Sequence, residues 1–372
     1  MSDLGYLVDF PTLGDLADAW LLQHGRVPDG FRRGAPFRQS DWQFWCTANH
    51  YRVRPGAVFV DPAEATDDNP VLLNQAFEYR RSQVIAPQKT GKGPWSAGVV
   101  AFEAVGPSVF GGWAGPDDAY KCDDHGCLCG WEYPYIEGEA MGIRHPSPLI
   151  QLTATSEDQV MNVYRPLTAM IKAGPLADLM LIREGFIRIV GASGDDDMDR
   201  IDVVTSSARS RLGNPISFAL QDESGLGTKQ NKMTDVYEAQ RRGAAGMGGR
   251  TMETTNCWDP SQNSTAQKTY ESPSKDIFKF YREPPKHLSY RNKRERHEIH
   301  KYVYEGSPWV NLASIEGEAA ELLQSDPAQA ERFFGNRLVQ GQGAWIEPAL
   351  WESAYRDFDD SKPYVREDPA PF

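Results

Sequence analysis

The sequence lacks any run of about 18 apolar residues, so no membrane-spanning helix is expected. Its first residues, Met1-Ser-Asp-Leu-Gly-Tyr6, have neither a basic start nor an apolar stretch, and no secretory leader is expected there. Cysteine is scarce and odd in number, five in 372 residues, which argues against a disulfide scaffold and suits a reducing compartment. Positive charge is also short: the net charge of −13 leaves a nucleic-acid partner only a local basic face to use. No internal repeat occurs. What remains is a chain with 40% hydrophobic residues, enough for a substantial core and long enough for a large α/β domain with an appendage.

The first informative stretch is Ala86-Pro-Gln-Lys-Thr-Gly-Lys-Gly93. It approximates the phosphate-loop pattern G-x-x-x-x-G-K-[ST], with Ala86 in the first glycine slot and Gly93 where a magnesium-binding hydroxyl is usual. The short apolar run before it predicts a strand ending at Ala86, and Trp95 to Val105 predicts the following helix, with Pro94 in its first turn. Unpaired amides of such a turn at a helix N-terminus bind phosphate. Gln88, Lys89, Thr90, Gly91 and Gly93 would form the cradle, and Lys92 would reach the terminal phosphates. An ordinary glycine turn is the competing reading.

A second motif strengthens the first. Ile216 to Leu220 reads as a buried strand running into Asp222-Glu223. A phosphoryl-transfer site needs one carboxylate for magnesium and one for the attacking water. Asp222 would take the metal through its water shell and Glu223 would polarise water; a solvated strand end is the alternative. Gln221 is a polar residue in a slot that is usually apolar.

Further strands are expected at Leu149–Thr155, Phe186–Val190, Ile201–Thr205 and Thr251–Thr255. Helices are expected at Leu13–Leu22, from Asp41 to His50, from Ser156 to about Lys172 and at Ala328–Phe334. Alternating strands and helices imply a parallel sheet wrapped by helices. The implied organisation is a peripheral segment 1–38, an ATPase core 39–264 interrupted by a loop-rich insertion 106–148, then 265–350 as the helix-rich end of the core and a small helical lid, and a polar tail 351–372.

With both motifs in view, residues 38 to 345 resemble the ATPase domain of the large terminase subunit, the motor that packages DNA in tailed phages. Trp42-Gln43 is similar to the family's adenine-recognition element, and Thr153-Ala-Thr-Ser-Glu-Asp-Gln159 to its strand-to-helix segment after the loop. Ser206-Ser-Ala-Arg-Ser-Arg-Leu-Gly213 resembles its approach to the acidic pair, and Thr254-Thr-Asn256 its ATP-coupling motif. The resemblance implies a P-loop NTPase fold, ATP and Mg2+ as ligands, and Lys92 on the β- and γ-phosphates. It also implies adenine recognition by Gln43, γ-phosphate sensing by Thr254, Thr255 and Asn256, and Arg209 or Arg211 as an arginine finger serving a neighbouring subunit. The implied partners are double-stranded DNA through its phosphates, further copies of the chain in a pentameric ring, a portal protein and a small terminase subunit, in the host cytoplasm and without a membrane. The family's nuclease domain is not expected after Trp351. A helicase-like ATPase and a catalytically silent adaptor are the rival readings, the latter favoured by Gly93.

One cluster lies outside this scheme. Cys122, His125, Cys127 and Cys129 fall within eight residues, a donor set that suits structural zinc although its spacing is tight. Free thiols are the alternative. The basic run Arg291–Lys301 reads as a solvated helix with internal ion pairs, or as a phosphate-contacting face.

Overall fold

A computed structural model describes residues 6–340 apart from 73, 154, 156, 196–197, 205–213 and 247. Helices α1 (Gly14–His24) and α2 (Asp41–His50) precede strand β1 (Arg81–Ile85), the phosphate-loop candidate and α3 (Lys92–Val105). The insertion carries β2 (Val109–Trp113), β3 (Ala119–Lys121), β4 (Glu132–Pro134) and β5 (Ala140–Ile143). Then follow β6 (Leu149–Thr153), α4 (Glu157–Ala173), β7 (Met180–Arg183), β8 (Phe186–Ile189), β9 (Arg200–Val204) and β10 (Phe218–Asp222). Next come α5 (Met233–Ala245), β11 (Arg250–Thr255), α6 (Thr265–Glu271) and β12 (Ile277–Tyr281). The last elements are α7 (Lys293–Val303), α8 (Leu312–Ser325) and α9 (Pro327–Phe333).

Eight strands form one sheet in the order β12-β1-β11-β10-β6-β9-β8-β7. Six of them run parallel, and β8 and β7 finish the edge as an antiparallel hairpin turning at Gly185. The expected α/β architecture is present, with several differences from the sequence reading. Helix α1, in the segment 1–38 read as peripheral, buries Leu16, Trp20 and Leu21 in the main core, and the edge strand β7 was not expected. Strand β12 pairs with β1 within the stretch read as helix-rich; its Ile-Phe-Lys-Phe-Tyr alternation suits a strand edge. The insertion is two nested antiparallel hairpins, β2 with β5 and β3 with β4, whose short strands carry too little periodicity to be seen in sequence.

Helices cover both faces, so β6, β10 and β11 are buried at every position rather than alternating. Their polar residues survive burial by pairing with one another. Gln221 Nε2 donates to Tyr237 O and Gln240 Oε1, and Gln240 Nε2 donates to Gln151 Oε1. Glu253, in β11, accepts from Arg81, Arg241 and the Thr269 and Ser224 hydroxyls.

Helix α3 runs through the main core. Trp95 is fully buried against Trp42, and its Nε1 reaches Gln39 Oε1 and Thr47 Oγ1, each at 3.0 Å. Burying each such apolar side chain contributes roughly 1.5–3 kcal/mol. Helices α7 to α9 enclose a second core of Tyr290, Ile299, Val303, Ile315, Ala319 and Ala330. The basic run contributes to it from inside: Arg296 and His300 are buried against Glu316, while Lys301 and Glu298 pair outside at 2.9 Å. Among the described residues, no helix is long and apolar enough to cross a membrane.

Candidate active site

Three adjacent parallel strands end at one edge of the sheet, where ligands of open α/β folds bind. Strand β1 feeds the loop 86–91, β10 ends in Asp222 and Glu223, and β11, between them, ends in Thr254, Thr255 and Asn256. The register is fixed by the ladders: Thr255 lies opposite Ile85 and Thr254 opposite Asp222.

The loop turns back on itself. Thr90 Oγ1 donates to Pro87 O at 2.9 Å, and Lys89 and Gly91 take left-handed φ values of 67° and 87°. Lys89 is exposed at the crest, with Gln88 half-buried beside it. Gly91 caps α3, and a side chain there would meet both the φ strain and the Trp309 indole, whose Cζ2 lies 2.9 Å from an ideal Cβ.

Lys92 is buried, and its ammonium donates to Ala86 O at 2.7 Å, Pro87 O at 2.8 Å and Asn256 Oδ1 at 2.8 Å. The Asn256 amide continues the chain, donating from Nδ2 to both Glu223 carboxylate oxygens at 3.2 Å. Asp222 Oδ1 accepts from Thr254 Oγ1 at 2.6 Å. The amine of residue 92 and the carboxylate of residue 223 therefore converge through one amide. Thr255 holds the neighbouring turn: its Oγ1 accepts from Gly225 N at 3.0 Å and donates to Asn256 O at 2.7 Å.

Lys92 and Asp222 are buried and Glu223 is half-buried beside them. Burial lowers the Lys92 pKa, opposed by Glu223 and Asp222. Burial raises Asp222, opposed by the Thr254 hydrogen bond and by Lys92. Glu223 is pushed up to about 7, first by burial and then by the Asp222 charge, with Lys92 and Asn256 opposing. Glu223 also takes a left-handed backbone, φ 50°, unusual for a residue with a Cβ and typical of strain kept at functional sites. Its neighbour Ser224 anchors that turn to Glu253.

Gly93 has a steric reason. An ideal Cβ there would lie 2.4 Å from the Asn162 carbonyl oxygen of α4, so the helix crossing leaves no room for the usual hydroxyl. Two contacts from the C-terminal part of the chain were not legible in the sequence: Trp309, in the α7–α8 connection, lies over Gly91, and Gln88 N donates to Phe333 O of α9 at 2.9 Å.

Other expected residues lie elsewhere. Gln43 is buried, and its Oε1 accepts from Ser40 N at 3.0 Å in a capping box, so that oxygen serves the helix rather than a base. Arg209 and Arg211 lie outside the described residues. In the insertion, Cys122, Cys127 and Cys129 come together but His125 does not join them. Its ring stacks on Tyr120 at 4.6 Å, and His24 of α1 takes the fourth place.

A strand–loop–helix cradle beside paired acids on a mostly parallel sheet is the architecture of P-loop-type nucleotide-binding folds. More narrowly, the fold is that of a phage large terminase. The HK97 bacteriophage large terminase superposes with a TM-score of 0.58 at 14% identity, over 92% of this chain and 58% of that one. The chain thus spans little more than half the length of that protein. The Thermus phage P74-26 large terminase ATPase domain gives 0.37 at 12% identity over 70% and 89%. The large terminase of a thermophilic bacteriophage in complex with ADP gives 0.32 at 14% over 62% and 48%. The fold assignment rests on the HK97 superposition. No protein-family model and no curated protein matches the sequence.

Proposed function

We propose that this chain is the ATPase domain of a phage DNA-packaging motor, coupling ATP hydrolysis to movement of double-stranded DNA into a procapsid. The observation that carries the ATPase part of the reading is the unbroken chain from the Lys92 ammonium through Asn256 to the Glu223 carboxylate, and the packaging part is supported by the fold likeness to the HK97 large terminase.

Each residue has a task in keeping with its surroundings. Lys92 exchanges its loop carbonyls for the β- and γ-phosphate oxygens of ATP, which the loop amides also hold. Glu223, near neutrality in its pKa, accepts a proton from the attacking water. Asn256 touches both the phosphate-binding amine and the base, so loss of the γ-phosphate changes its partners. Magnesium fits the oxygen donors present: Asp222 keeps Oδ2 beyond the Thr254 bond to Oδ1, and the ion would neutralise charge on the phosphates. With Gly93 unable to supply a hydroxyl, Asp222 would hold it through water.

The same reading assigns a ring of identical subunits, a trans-acting Arg209 or Arg211, sequence-independent contacts to DNA phosphates, and portal and small-subunit partners in the host cytoplasm. ATP turnover and nucleotide binding test it. Lys92→Ala abolishes both, whereas Glu223→Gln abolishes turnover and still binds. The closed space at Gly93 favours one rival, a silent phosphate-loop adaptor. Absence of turnover in the parent protein with any divalent metal, alone or with packaging partners, would decide for that rival.

A further inference from the structure

We propose that His24, Cys122, Cys127 and Cys129 bind one structural zinc ion that pins helix α1 to the insertion. The four donor atoms lie within 4.8 Å of one another. His24 Nε2 is 3.3 Å from Cys122 Sγ and 3.4 Å from Cys129 Sγ. Zinc bonds of about 2.3 Å to sulfur and about 2.0–2.1 Å to nitrogen in a tetrahedron require N···S edges of about 3.5 Å. These two N···S edges are therefore already at about the right length.

The imidazole is held in the orientation a ligand needs. His24 Nδ1 faces Trp20 O at 2.9 Å, one turn back in α1, so the proton sits on Nδ1 and the Nε2 lone pair faces the sulfurs. The ring is stacked on Trp20 at 4.5 Å and met edge-on by Trp131 at 5.5 Å, which fixes its plane.

The sulfurs are brought together by backbone geometry. Cys122 opens a single 3-10 turn to His125 that closes at Gly126, φ 79°, and Cys127 N then donates to Cys122 O at 3.1 Å. Cys122 N is tied to Trp131 O at 3.0 Å across the β3–β4 hairpin. All three thiols are free of disulfides. Soft thiolates with one imidazole select zinc over harder ions, and four protein ligands leave no open position for chemistry.

The tether closes a loop between residues 24 and 122 and acts on the core. Leu21, one turn before His24, packs on α3, where its Cδ2 lies 3.1 Å from an ideal Cβ on Gly98. The ion would thus hold α1 against the helix that begins at the phosphate loop.

The test is metal analysis of the full chain, independent of any ATPase assay. One zinc per chain is expected after dialysis against buffer. His24→Ala and Cys127→Ser should reduce it to background, while His125→Ala keeps one equivalent. Cobalt(II) exchanged into the parent protein should give the thiolate charge-transfer and tetrahedral ligand-field bands of a three-sulfur, one-nitrogen site. Zinc at background in the parent, an octahedral cobalt spectrum, or loss of zinc in His125→Ala with retention in His24→Ala would overturn the proposal. The parent and His125→Ala measurements decide the matter even where the ligand variants do not fold.

Discussion

Replacing Gly93 by serine would write the missing hydroxyl back into the loop-to-helix junction, and the expected result is damage rather than improvement. The obstacle is the Asn162 carbonyl oxygen, 2.4 Å from the position of the new Cβ. An ordinary carbon-to-oxygen contact is about 3.3–3.6 Å, so α3 and α4 must separate locally by about 1 Å. The blocking atom belongs to helix backbone, and no side-chain rotation relieves it. Overpacking of this kind costs about 1–3 kcal/mol, with each 1.4 kcal/mol shifting the folding equilibrium about tenfold. Gly93→Ala carries the same Cβ and serves as the control, since the two variants differ only in the hydroxyl. Urea denaturation should show both destabilised by similar amounts, and magnesium-dependent ATP turnover of Gly93→Ser should not exceed that of the parent. A serine variant as stable as the parent, with tighter magnesium activation, would refute the reasoning and show that α4 yields freely.

Three further outcomes are expected. If Glu223 is the base, it must be ionised to act. With its pKa raised to about 7, kcat/KM should fall as pH drops below about 7, and an acid limb breaking near the ordinary carboxylate value of about 4.3 would contradict this. Glu253→Gln removes the buried counter-charge of Arg81, 2.7 Å away, and of Arg241, and should destabilise the fold by about 3–5 kcal/mol in urea titration; a loss under about 1 kcal/mol would show the guanidiniums satisfied otherwise. Adding ADP should change tryptophan emission in the parent but not in Trp309→Phe, with binding retained in both, because the indole lies over Gly91; an unaltered response in the variant would place the reporter elsewhere.

Much of this arrangement was legible because it is local. The β1–loop–α3 unit and the strand leading to Asp222 and Glu223 are contiguous segments whose apolar residues and glycines mark their boundaries, whereas β11, Arg-Thr-Met-Glu-Thr-Thr, was placed only by the resemblance of Thr254-Thr-Asn256 to a family motif. The convergence of Lys92, Asn256 and Glu223 follows once those strands are neighbours. What was not legible depends on distance. His24 is 98 residues from Cys122, and nothing near His24 marks a ligand, whereas His125 stood among the cysteines and drew the reading to itself. Trp309 and Phe333 reach the loop only through the packing of the last helices. Gly93 read as a lost metal ligand when considered against a motif; in three dimensions a neighbouring helix requires it. Gln221 read as a blemish until Gln240 and Tyr237 stood beside it.

The bond from Gln88 N to Phe333 O bears on how this protein can be dissected. A fragment ending before Pro327 would strip a partner from the phosphate loop, and one ending before Trp309 would also uncover Gly91. Trimming the C-terminal helices to obtain a minimal fragment would therefore rebuild the surroundings of the proposed nucleotide site, and kinetics from such a fragment would describe a different site.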